Sequence, residues 1–185
     1  MRVFIAIIVL IFSLQSWTKA DDIRDFEIEG MSIGDSALDF FSEDDINEAI
    51  DESYADRKYL TKTFLNKNLN LYEALQITYK ANDNNKIIVG IVGAIIYPNN
   101  INKCKKQMYE IASELSDLFP TTIKKDWGKY ENGDNTGHYF PITFYFEDRA
   151  TAMVSCHDWN KETGLEDNLK VSLFEARYSK YIEGR

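Results

Sequence analysis

Between Ile101 and Leu118 the apolar side chains stand at Ile101, Cys104, Met108, Ile111, Leu115 and Leu118, alternately three and four residues apart. That spacing puts them on one stripe of a helix. It predicts a helix from Ile101 to Phe119, capped by Pro98-Asn99-Asn100 and stopped by Pro120. Elsewhere the period is two. Ala150, Ala152, Val154 and Cys156 share one face of a strand ending at His157. Leu75, Ile77 and Tyr79 alternate in the same way before a polar turn at Asn82 to Asn85. Tyr139 to Glu147 and Leu169 to Tyr178 predict two more strands, and Tyr59 to Leu65 a weaker one. Ile87 to Tyr97 is almost continuously apolar, as a central strand covered on both faces is.

Ahead of these strands the pattern predicts two short helices. Asp35 caps one that reaches Phe41; Ser42 with Asp45 three residues on resembles a capping box opening another, to about Tyr54. Thr121 to His138 has no clear period and is expected to be one long connection. The order of elements gives the fold class α+β: an antiparallel sheet with one long helix packed across a face and two short N-terminal helices. The strand connections are too short for a series of parallel crossovers.

Composition adds the compartment. Met1-Arg2 is basic, Val3 to Leu14 is nearly free of polar residues, and Thr18 and Ala20 are small. This is the order of a secretory signal cut after Ala20. These twelve residues reach roughly 18 Å, short of a hydrocarbon core of about 30 Å. The expected product is a single domain, residues 21–185, periplasmic or secreted, with no stable membrane insertion after cleavage. The chain has 185 residues, 44% of them apolar and only 3 prolines, which excludes a disordered or low-complexity protein.

Charge then narrows the partners. Asp21 to Asp56 carries fourteen acids against Arg24 alone, whereas Arg57 to Arg185 carries eighteen bases against sixteen acids. A net charge of -9 opposes nucleic-acid binding, which needs cations to displace phosphate counter-ions. The acidic segment reads as a solvated helical face, or as a dock for divalent cations or a basic partner.

Cys104 and Cys156 are the only cysteines, and an exported chain with an even count predicts a disulfide. The helix stripe and the strand face would bring both sulfurs to one interface. A zinc site with His138 and His157 is the rival, but neighbouring Cys156 and His157 point to opposite faces of a strand.

Motifs for chemistry are weak. Gly30-Met31-Ser32-Ile33-Gly34-Asp35-Ser36 lacks the lysine of a phosphate loop. It resembles the lead-in to the first helix of outer-membrane-assembly lipoprotein and β-lactamase-inhibitor-like domains, over about ten residues. The lipid-anchor cysteine and the later glycine–x–proline of those domains are absent. The chain as a whole resembles small uncharacterised exported proteins of marine bacteria, a likeness that implies export and no activity. Asp158, Asn160, Glu162 and Glu166 suggest a calcium loop, but glycine comes seventh and leucine twelfth. Ser155, His157 and Asp158 have the residue types of a hydrolase triad, yet strand alternation is expected to keep them from forming the relay among themselves.

The function expected is therefore a soluble, exported, non-catalytic domain that binds another envelope or extracellular component, with no cofactor and no metal. A small periplasmic hydrolase using His138 or His157 is the alternative. The candidate binding residues are Trp127, Tyr130 and His138, in the long connection beside Lys124, Lys125 and Lys129. Exposed rings beside polar groups suit a sugar ring, a peptide or a protein surface, unless they fold back over the sheet.

Overall fold

The computed structural model describes residues 22–65, 69–133 and 135–184, so the predicted export segment lies outside the described residues. The strands are β1 (Ile50–Asp51), β2 (Tyr59–Leu65), β3 (Ala74–Lys80), β4 (Ile88–Ile96), β5 (Ile123–Asp126), β6 (Tyr130–Glu131), β7 (Gly137–Tyr145), β8 (Thr151–Trp159) and β9 (Asn168–Phe174). The α-helices are α1 (Glu43–Glu48), α2 (Ile101–Leu118) and α3 (Ala176–Glu183). All nine strands join one sheet in the order β1-β2-β3-β4-β9-β8-β7-β5, with β6 also on β7. Every pairing is antiparallel. Two meanders, β2-β3-β4 and β7-β8-β9, meet along β4 and β9. This is the α+β architecture expected from the pattern.

Period two sorts the sheet into two faces. On the core face, Ala152, Val154 and Cys156 of β8 sit level with Leu173, Val171 and Leu169 of β9. Helix α2 lies across them and buries Cys104, Met108, Ala112 and Leu115. Cys104 and Cys156 are disulfide-bonded with Cα atoms 5.9 Å apart, 52 positions apart in sequence. The N-terminal segment extends the same core with Ile23, Ile28, Met31, Ile33, Ala37 and Ile46. It is tied down by backbone bonds, with Gly34 N–H on the Ile88 carbonyl at 2.9 Å and Ile88 N–H on the Asp35 carbonyl at 2.8 Å. The Glu29 carboxylate accepts the backbone N–H groups of Asn70, Leu71 and Tyr72 at 2.8, 2.7 and 3.0 Å. Burial alone would raise its pKa; those donors outweigh it and hold the group below the usual carboxylate range.

The second face is covered at one end by α3. Tyr178 packs edge-on against Tyr59 and Phe174, and a Cβ on Gly90 would stand 2.9 Å from its ring. Ser179 shares a hydroxyl bond of 2.9 Å with Thr151. The other end of this face, at Tyr139, His157 and Trp159, lies beyond α3.

Four sequence expectations are corrected. The first short helix is a 3-10 turn over Ala37–Asp39, capped by Ser36 rather than Asp35. Asp35 instead accepts the Ser32 N–H at 2.8 Å, closing the turn before it. The Ser42–Asp45 capping box is present, but α1 stops at Glu48 because Ile50 and Asp51 pair with β2. The last strand ends at Phe174, where Glu175 caps α3. The connection from Thr121 to His138 contains β5 and β6, both laid along β7.

Candidate functional site

Antiparallel register assembles the site. Tyr130 of β6 stands opposite Tyr139 of β7, and Tyr139 opposite His157 of β8. Cross-strand partners share a face, so the three rings line up across the sheet. Two further rings extend the line: Trp127, in the β5–β6 turn, and Trp159, two residues beyond His157 on the same face. Ring centroids run Trp127–Tyr130 6.0 Å, Tyr130–Tyr139 5.6 Å, Tyr139–His157 5.6 Å and His157–Trp159 5.8 Å. The last two contacts are stacked, with planes 12° and 18° apart.

Trp127 is held at the outer end. Its backbone N–H donates to the Pro141 carbonyl at 3.1 Å, and its indole N–H to Thr143 Oγ1 at 3.2 Å. Lys125 Nζ lies 3.2 Å from its ring centre, a cation–π contact. Tyr130 is 41% exposed, so this end of the row faces solvent.

At the inner end the polar groups are unusual. His157 Nδ1, Trp159 Nε1 and Asn168 Oδ1 are buried and have no hydrogen-bond partner among the described residues. They are neighbours, since Asn168 pairs with His157 across β8 and β9. Lys170 stands opposite Ser155 on the same face and makes no ion pair among the described residues. Burial lowers its pKa, partly offset by Glu52. Burial also drives the His157 imidazole down to about 3, with the Lys170 charge adding to the effect. His157 is therefore neutral at physiological pH.

Ser155 Oγ and His157 Nε2 are 3.1 Å apart, the donor set by the imidazole tautomer. Two positions apart on a strand, Ser155 and His157 share a face, so alternation does not separate this pair, although the three-residue relay is not formed. Asp158 does lie on the opposite face, so no carboxylate among the described residues orients the imidazole. Ser155 is 0% exposed. Among the described residues no group of three or more His, Cys, Asp or Glu side chains has metal-holding geometry.

The structure thus brings Trp127 and Tyr130 together but not His138. His138 is one residue from Tyr139 on β7 and so falls on the other face, beside Glu131 and Asp158 in the pairing. Its place in the row is taken by His157, which the sequence offered only for the zinc and hydrolase alternatives, with Tyr139 and Trp159, which sequence reasoning did not select. The signal was available, because putting Cys156 on the core face fixes His157 and then Trp159 on the other.

No protein-family model, curated protein or solved structure matches this chain.

Proposed function

We propose that the mature protein is an exported, non-catalytic binding domain, and that a carbohydrate-bearing component of the envelope or extracellular space docks on the ring row. The observation that carries this reading is the trio of unpartnered buried atoms beside the rings. Each such atom costs free energy comparable to a lost hydrogen bond unless a ligand or water meets it. Trp159 Nε1 needs an acceptor, Asn168 Oδ1 needs a donor, and His157 Nδ1 takes either according to tautomer. Sugar hydroxyls supply both, while the apolar faces of a pyranose suit neighbouring aromatic rings. Lys170 adds a cation for an acidic sugar.

A hydrolase is the second reading, favoured by the Ser155–His157 bond. Against it stand a buried nucleophile, a base whose pKa is far below the operating range, and the lack of an orienting carboxylate among the described residues. The test is capture of glycans from the native envelope fraction, run beside a broad hydrolase screen. Tyr130→Ala and Trp159→Ala are each expected to weaken capture about tenfold or more, as loss of an aromatic anchor does. Capture indifferent to both substitutions would sink the binding reading. Turnover abolished by Ser155→Ala and by His157→Ala would replace it with the hydrolase.

A further inference from the structure

A second concavity lies on the far side of α3, away from the ring row. Lys58, Lys80, Arg177 and Lys180 surround a cavity of about 570 Å³ whose wall includes Tyr59 and Tyr181. The position of each cation follows from the fold. Lys58 directly precedes β2; Lys80 ends β3 and pairs with Tyr59. Arg177 and Lys180 sit three apart on α3, on the same side of the helix. Lys58 Nζ lies 5.7 Å from the Tyr59 ring centre and 5.4 Å from that of Tyr181.

None of the four cations has an ion-pair partner among the described residues. Two carboxylates near them serve as hydrogen-bond acceptors. Asp56 accepts the Tyr181 hydroxyl at 2.6 Å and the Lys58 backbone N–H at 3.2 Å. Glu175 caps α3 by accepting the Arg177 backbone N–H. Four like charges around one cavity repel one another, offset only in part by the Asp56 and Glu175 carboxylates, and in a chain of net charge -9 they form a positive patch. A multiply charged anion relieves that repulsion.

We infer that this pocket binds a phosphate-bearing ligand carrying two or more negative charges. The volume lies in the range of small-ligand sites. A guanidinium beside ammonium groups suits phosphoryl oxygens, Arg177 by its planar fork and the lysines as point charges. The phosphate would come from a soluble molecule or from a lipid headgroup, and the two sources separate experimentally.

The full mature chain would be titrated with inorganic pyrophosphate by calorimetry at low salt, and separately sedimented with vesicles containing an anionic phospholipid. Saturable pyrophosphate binding supports a soluble ligand; retention on the vesicles alone supports a headgroup. Arg177→Gln with Lys180→Gln should weaken either interaction about tenfold or more, as should Lys58→Gln alone, an exposed change that leaves α3 intact. Both should weaken steeply with added salt. Lys124→Gln with Lys129→Gln, and Tyr130→Ala in the ring row, should leave them unchanged, which keeps this inference separate from the glycan reading. Failure of both probes at millimolar concentration overturns the proposal, and so does undiminished binding by the α3 double variant.

Discussion

Removing the disulfide by Cys104→Ala with Cys156→Ala should cost this protein several kcal/mol, and the fold says how that cost divides. The bridge closes a loop of 52 residues. In the chain-entropy model a loop of that length restricts the unfolded ensemble by about 4 kcal/mol. Both sulfurs are also fully buried, between the first turn of α2 and the end of β8. Their loss leaves small voids worth about 1 kcal/mol more in total. For a domain of this size the sum corresponds to a fall in Tm on the order of 10–20 °C. Urea unfolding of wild type and variant, each with and without dithiothreitol, separates the two parts. Reductant should remove about 4 kcal/mol from the wild type and nothing from the variant, and the remaining difference is the packing part. The reduced wild type should also unfold with a larger m, because its unfolded chain exposes more surface. A wild-type midpoint unmoved by reductant, or a double variant within 1 kcal/mol of wild type, would refute the reasoning.

Two further outcomes follow from buried or bonded charges. His157 has a folded pKa near 3 against about 6.5 for free imidazole. The unfolded chain therefore takes up the proton first, and stability falls as pH drops from about 6.5 towards 3, by roughly 2–3 kcal/mol at pH 4.5. His157→Gln should flatten that part of the profile, and a resonance assigned to the His157 imidazole that titrates above pH 6 would contradict it. Glu29→Gln replaces an acceptor of three backbone N–H groups with an amide that presents its own donors. With Glu29 partly exposed, the expected loss is about 1–2 kcal/mol at neutral pH. Because the folded pKa is depressed, the wild-type advantage is complete above the unfolded value near 4.3 and vanishes as pH falls through the folded one. Urea midpoints that coincide at pH 7 would show that these bonds contribute nothing.

The sequence alone determined those parts of the protein whose apolar pattern is long and unbroken. Helix α2 was legible because eighteen residues of amphipathic stripe admit no other period, and β4 because an apolar run of its length belongs between two covered faces. Cys104 and Cys156 could be paired because each sat on a stripe already assigned to the core. Helix α3 carries a signal of its own, with Tyr178, Tyr181 and Ile182 three and four apart, but the alternation of β9 extends the expected strand to Tyr178. Strands β5 and β6 carried none, since every residue in them is exposed. They exist because β7 offers an unpaired backbone edge, which is a tertiary fact.

The ring row belongs to the same class. Sequence placed Trp127 and Tyr130 in one segment and joined His138 to them by proximity along the chain. Register decided otherwise: one step along β7 reverses the face, so Tyr139 joined the row and His138 left it. Local pattern specifies which face of its own strand a residue takes. Which residues of other strands stand beside it depends on backbone pairing between distant segments, and that is fixed only when the whole sheet closes.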